Sequence, residues 1–451
     1  VPIRRSAPRA LSLPRRSLYL PPTVSRRTVL RGAAGAGALS AVGGLAACGG
    51  DDSGGESGTG TVTLGSRLGD PVPAAAEDAV LAAFEEQSGY TVEVNRQDNE
   101  TFQESINNYL QGSPDDVFTW FTGFRARFFD DQGLVGDLSS VWDEIGDGYS
   151  DAFRAASSNG DKEIVVPVST YPWALFYRPS VFEENGWSAP ETIEDFEALC
   201  QEVQGAGLVP VAFGNQDGWP SMGTFDILNM RMNGYDFHIA LMAGEEDWDT
   251  PEVGAVFEQW AALLPFHQED PNGRTWQEAA QALQRNEAAM YFLGLFVGEQ
   301  FEEGADRDDL DFFAFPEVDS AIGAGDIDAP IDGYMMAPTP ENEEGALALL
   351  TYWGSAEAQE LNLREAPNAV AAHSDADTSG YTPLQQKAVE LIQNATGLAQ
   401  FLDRDTRPDF ASTIVIPTFQ NFLNDPSDID TVLADLQAGK ERLFVEGGST
   451  R

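Results

Sequence analysis

Lysine, histidine and cysteine are all scarce in this chain of 451 residues, with three lysines (Lys162, Lys387, Lys440), three histidines (His238, His267, His373) and two cysteines (Cys48, Cys200). The histidines are scattered, with no H-E-x-x-H or other paired spacing, so no metal site is expected. There is no G-x-S-x-G elbow and no G-x-x-x-x-G-K-S/T loop, and no motif calls for a cofactor. With 73 Asp and Glu, two carboxylates can always be picked out as a glycosidase pair, so picking them carries no information. Nothing in the sequence compels an enzyme. Nor does any apolar run reach the roughly 20 residues that span a bilayer.

Basic charge is nearly confined to one end. Eight of the 26 Lys and Arg (Arg4, Arg5, Arg9, Arg15, Arg16, Arg26, Arg27, Arg31) precede Asp51, the first acid. Setting those eight aside leaves 18 basic residues against 73 acids, a net charge of −55 over residues 48–451. A body so acidic repels phosphate backbones and anionic headgroups, which excludes nucleic acid as a partner. The acids are dispersed and lysine is depleted, a surface suited to staying hydrated in salt. A halophilic source and an ordinary acidic secreted protein are both compatible with it.

The leader predicts a chain exported from the cytoplasm and lipid-anchored to the outer face of the membrane. Arg26-Arg27 precedes a Gly/Ala-rich run of 16 residues, Gly32–Ala47, the layout of an export signal with a basic n-region and a short h-region. Arg26-Arg27-Thr28-Val29-Leu30 resembles a twin-arginine signal. Leu45-Ala46-Ala47-Cys48 resembles a lipobox, with Cys48 as the lipidated first residue of the mature chain. Residues 1–47 are expected to be the signal peptide, residues 48–60 a flexible Gly/Ser/acid tether, and the membrane is to be touched only through the lipid. Cys200 then has no disulfide partner, and its place beside Phe196 and Val203 in a helical apolar stripe predicts an inert buried thiol.

In the exported part, strands are predicted at Thr61–Gly65, Tyr90–Asn95, Asp116–Phe121, Glu163–Ser169, Val209–Gly214 and Ala288–Gly294. Helices are predicted at Pro73–Gln87, from Thr192 (with Asp195 approximating a capping box) to Gly205, at Trp276–Arg285 and at Asp428–Phe444. Strand, helix and strand within about 35 residues form a βαβ unit, so the fold class is α/β with a parallel sheet.

In open α/β sheets ligands bind beyond the carboxyl ends of the strands. Those ends carry Arg67; Trp120; Asn215 and Trp219; and Phe296, with Tyr171 and Trp173 at a further strand–loop junction. Aromatics, amides and single charges suit a sugar, whose C–H face lies on an indole and whose hydroxyl rim wants polar partners. Trp142, Trp260 and Trp353 read as packing residues, and Trp187 and Trp276 as staples at helix entries. Asp332 reads equally as a turn acid and Arg404 as an ion-pair member.

Several segments together resemble the family-1 extracellular solute-binding proteins, the sugar-capturing components of ABC importers related to maltose-binding protein. They are Pro114-Asp115-Asp116-Val117-Phe118 running to FFDDQGLVGDLSS, VPVSTYPWALFYRPSVF, ENGWSAPETIEDFEALCQEVQGAGLVPVAFGNQDGWP, ILNMRMNGYDFHIALMAGE, TWQEAAQALQRNEAAMYFLGLFV, LDFFAFPEVD, APIDGYMMAP and FLDRDTRPDF. The match runs over about residues 61–447. It implies a two-lobed periplasmic-binding-protein-like fold with a hinge and a ligand cleft between lobes. One lobe is residues 61–169 with 330–365, the other 170–329 with 366–447, and the crossings lie near Ser169–Trp173, Pro330–Gly333 and Leu363–Pro367. It implies that Trp120, Trp173, Trp219, Asp332 and Arg404 face the cleft. The implied partners are a carbohydrate and a permease pair driven by a cytoplasmic ATPase, with the receptor a monomer. A receptor for a peptide or polyamine, a sensor, and a secreted glycosidase or esterase stay open as alternatives.

Overall fold

The structure, a computed structural model, describes residues 60–302 and 304–446. The twin-arginine leader, Cys48 and most of the tether lie outside them. Within the described residues the chain builds two main β-sheets, each with its own helices and hydrophobic core, and two small two-stranded ones.

The larger sheet has six strands in the order Val370–Ala371, Val166–Thr170, Ile331–Met336, Val117–Phe121, Thr61–Ser66, Thr91–Arg96. Its founding unit is the βαβ of the sequence. Thr61–Ser66 runs parallel to both Thr91–Arg96 and Val117–Phe121. The helix between the first two, Pro71–Ser88, starts two residues earlier than its periodicity suggests, because Pro71 is pre-set for a first turn. It ends where Gly89 takes φ 81°, and it buries Ala76, Val80, Leu81 and Phe84. The sheet is mixed, not parallel throughout. Ile331–Met336 enters antiparallel to both Val117–Phe121 and Val166–Thr170, with Asp332 opposite Phe121.

The single strand expected at Glu163–Ser169 is divided. Lys162–Glu163 closes a small hairpin with Ser158–Asn159. The Ile164 and Val165 amides then both donate to the Ser157 carbonyl, at 2.9 and 3.2 Å, before Val166–Thr170 joins the large sheet. Similarly, the strand expected to reach Gly214 stops at Ala212.

The smaller sheet has the order Asp311–Phe313, Trp173–Tyr177, Ala288–Gly294, Val209–Ala212. Ala288–Gly294 is buried at all seven positions, as a central strand covered on both faces must be. Beneath it, Phe225, Phe257, Trp260, Phe419 and Phe422 form a continuous aromatic core. Cys200 is fully buried there, and burial raises its thiol pKa, as suits an inert packing residue. The helix Ile193–Gly205 is capped by Thr192, whose hydroxyl accepts from the Asp195 amide at 3.2 Å. The last helix, Ile429–Glu446, lays Val432 and Leu436 into this core.

The chain passes from the larger to the smaller sheet through Tyr171-Pro172 and returns through Ala329-Pro330. It is still paired with the larger sheet at Val370–Ala371, although Leu363, Ala369 and Val370 already pack in the core of the smaller one. No described helix is long and apolar enough to cross a membrane.

Candidate functional site

The carboxyl ends of the strands in both sheets, and the segments passing between them, enclose a cavity of about 180 Å³. Its floor is an ion-pair network. Arg67 follows the first strand directly. Its amide donates to the Thr119 hydroxyl at 2.8 Å, and its Nη1 donates to Asn99 Oδ1 at 3.0 Å. Its Nη2 lies 2.8 Å from Asp332 Oδ1. Arg404 Nη1 reaches the same oxygen at 3.0 Å, and Arg404 Nη2 donates to the Tyr171 hydroxyl at 3.0 Å.

The Arg404 guanidinium lies 4.2 Å over the Phe121 ring. Burial opposes its charge, but Tyr171, Asp332 and Asp403 outweigh that and hold it above the ordinary arginine range. Burial pushes the Tyr171 phenol up to about 12, so it stays a hydroxyl at any working pH. Among the described residues Asp332 Oδ2 has no hydrogen-bond donor, and its side chain is 20% exposed. The floor therefore presents a fixed, open acceptor beside two fixed sets of N–H donors.

One wall is aromatic. Trp219 and Phe296 are half-buried, with ring centroids 6.2 Å apart. Behind them Trp173 stacks on Phe401 at 4.7 Å and meets Trp219 edge-on at 6.1 Å. Trp276 meets Phe296 at 5.1 Å, nearly perpendicular. Trp173 in turn rests on Gly223, where a Cβ would come within 2.6 Å of its ring, so the bare backbone of the Pro220–Asn233 helix fixes the stack.

Of the residues expected at a site, Arg67, Tyr171, Trp173, Trp219, Phe296, Asp332 and Arg404 all line this cavity. Trp120 and Asn215 do not. Thr119 lines the cavity, so the alternation of a strand turns Trp120 to the opposite face. There it is fully buried against Phe102 and Phe129, with the Arg125 guanidinium 4.8 Å over its ring. Asn215 is also fully buried. Its Oδ1 accepts from the Ser221 amide at 2.9 Å and its Nδ2 donates to Asn272 Oδ1 at 2.9 Å, so it braces the loop that displays Trp219.

The cavity also uses residues that the sequence did not single out. Trp276, expected as a staple, lines it, and Trp353, expected as packing, reaches it beneath Tyr334, on which it stacks at 4.5 Å. Asn99 and Glu100 follow the second strand, so the same strand-end rule would have found them. Asp70, Glu299 and Asn368 sit on a helix cap, a 3₁₀ turn and an irregular segment, where no periodic signal exists. Among the described residues no group of three His, Cys, Asp or Glu side chains could hold a metal ion.

Comparison with known proteins agrees with this geometry. An extracellular-binding protein of an ABC transporter from Pyrococcus horikoshii is 24% identical over 330 residues, spanning 72% of this chain and 71% of that protein. A probable sugar-binding periplasmic protein from Mesorhizobium japonicum is 21% identical over 284 residues, 60% and 66% of the two chains. Among solved structures, the bacterial solute receptor AcbH, described as exclusively preferring β-D-galactopyranose, superposes with a TM-score of 0.84 at 40% identity. That superposition covers 86% of this chain and all of AcbH. A chitin oligosaccharide binding protein shares the fold, with a TM-score of 0.77 at 22% identity over 84% and 98% of the chains. These neighbours are binding proteins with two-lobed folds. The family model for bacterial extracellular solute-binding proteins matches residues 69–360, and the chain belongs to that family.

Proposed function

We propose that this protein is the sugar receptor of an ABC importer and that its cavity takes a single hexopyranose of the galactose type. The observation that carries the reading is the pairing of a half-exposed Trp219–Phe296 wall with the Arg67–Asp332–Arg404 floor in one small cavity. An indole matches the C–H face of a pyranose ring. The open Asp332 oxygen and the anchored guanidinium groups match its hydroxyls, and a site built for a given hydroxyl loses affinity when that hydroxyl is missing. A volume of about 180 Å³ is below the ~300–1,000 Å³ of pockets for drug-sized ligands, which favours one ring over a long oligosaccharide. The AcbH likeness, at 40% identity, points the same way.

In this reading no bond is made or broken. Tyr171 and Asp332 stand beside the segments through which the chain passes from sheet to sheet, so a sugar held by both sides draws the lobes together by hinge motion. The closed receptor docks on a permease pair driven by a cytoplasmic ATPase. Twin-arginine export and a lipid at Cys48 complete the proposal on the support of the leader alone, and a monomeric state on that of the family resemblance, while the dispersed acids fit a salt-rich medium.

Thermal unfolding in molar salt against a panel of neutral hexoses, oligosaccharides, peptides and polyamines tests the reading. A ligand at 100 times its dissociation constant adds about 2.7 kcal/mol to the folded state. The expected result is an upward shift with D-galactose, recovered unchanged. A shift with peptides or polyamines and none with sugars contradicts it.

A further inference from the structure

The cavity holds carboxylates besides Asp332. Asp70, Glu100 and Glu299 all line it, and none of the three forms an ion pair among the described residues. The cations of the floor are held in place by one carboxylate. Arg67 and Arg404 share Asp332, while Arg67 Nη1 donates to Asn99 and Arg404 Nη2 to Tyr171. Arg125, the next arginine, faces Asp403 at 3.6 Å.

Glu299 belongs to the 3₁₀ turn Leu295–Gln300, which also carries Phe296, and its Oε1 accepts from the Asn368 amide. Asp70 faces it from the cap of the helix Pro71–Ser88. Arg307, from the short helix Ala305–Asp308, pulls the other way but donates to the Phe301 carbonyl at 3.1 Å.

We infer that Glu299, backed by Asp70 and Glu100, is a charge filter that admits neutral sugars and rejects sugars carrying a carboxylate or phosphate. The physical basis is that five carboxylates (Asp70, Glu100, Glu299, Asp332, Asp403) line the cavity against two guanidinium groups (Arg67, Arg404), so an entering anion meets an excess of like charge, and the partly buried setting weakens screening. A neutral hexose makes the same floor and wall contacts without that repulsion. The filter is adjustable by protons. Burial first, and then Asp70, push the Glu299 carboxyl up to about 7 against the Asn368 amide and Arg307. Burial likewise raises Asp70, with Asp98 adding to it, and raises Glu100, with Asp217 and Asp70 adding to it. Glu299 is therefore mostly charged at pH 8 and mostly neutral at pH 6.

The inference rests on the hexose reading, and its test separates the two. The protein is titrated calorimetrically with D-galactose, D-galacturonate and the neutral D-galacturonamide at pH 8 and pH 6, at fixed ionic strength. The amide keeps the shape of the uronate without its charge. The expected result is that the amide binds about tenfold or more tightly than the uronate at pH 8, with the gap narrowing at pH 6. Glu299→Gln narrows the same gap at pH 8. Should that variant not fold, Asp70→Asn and the wild-type pH series carry the test. A uronate that binds as tightly as the amide at pH 8, with galactose bound normally, overturns the filter and leaves the hexose reading intact. A gap that neither pH nor either variant changes overturns the role of Glu299. Binding of none of the three overturns both.

Discussion

The Tyr171 hydroxyl accepts a hydrogen bond from Arg404 Nη2 at 3.0 Å across 233 residues of chain. That contact joins the first passage between the sheets to the short helix Leu402–Asp405, and Asp332, in the strand just after the second passage, holds the other end of the same guanidinium at 3.0 Å. The floor of the cavity is thus assembled from segments that come together only when the whole fold is complete.

Asp332 is the hub of that floor, and its side chain is the shared ion-pair partner of two guanidinium groups that are each only 10% exposed. Asp332→Ala leaves both unpaired. A loss of about 3 kcal/mol in folding stability is expected, together with loss of measurable sugar binding. Denaturant melts and calorimetry on the same sample check both effects.

The two tryptophans of the wall separate ligand contact from packing. Trp219 is half-buried, so Trp219→Ala should weaken sugar binding by more than tenfold with a modest change in stability. Trp173 is 3% exposed and stacks on Phe401. Trp173→Ala should cost about 3–5 kcal/mol of stability as well as binding. Equal stability losses in the two variants would contradict the assignment.

Gly223 offers a more local test. An added methyl meets the Trp173 ring at 2.6 Å, so Gly223→Ala must displace the ring or the helix. The expected outcome is a loss of about 1–3 kcal/mol and weaker sugar binding, read by thermal unfolding with and without ligand.

Two sets of buried groups, neither of them in the cavity lining, should shape stability against pH in opposite directions. Burial lowers His238 to about 3 and His267 to about 4. Both lie below the ordinary 6.5, so their contribution is complete above pH 6.5 and drains away as pH falls through that range. Asp226 and Asp328 are raised well above the ordinary carboxylate range, by burial first, with Asp328 adding to Asp226 and Asp405 adding to Asp328. Among the described residues neither oxygen of Asp328 has a hydrogen-bond partner. Their contribution is complete below about pH 3.8 and is lost as pH rises. Asp328→Asn should therefore raise the unfolding midpoint at pH 8 and change it little at pH 4. The opposite ordering contradicts a neutral carboxyl at this position.

Much of this was legible in the sequence because it is written in short-range patterns. The first βαβ unit, the central strand Ala288–Gly294 and the last helix follow from periodicity and end signals. The strand-end rule pointed to Arg67, Trp219 and Phe296. It failed at Trp120, because a rule that finds a strand's end does not say which face the last residues take. Asn215 looked like a hydroxyl partner, but its amide is consumed in bracing its own loop. Glu299 and Asn368 were invisible because their meeting depends on tertiary placement alone.

The measurement that bears most directly on the account is a calorimetric titration of the protein with D-galactose, beside Asp332→Ala and with the sugar recovered for analysis. The expected result is saturable one-to-one binding to the wild type, none to the variant, and chemically unchanged sugar. Absence of binding by galactose and every other hexose, or recovery of a converted sugar, would contradict a hexose receptor.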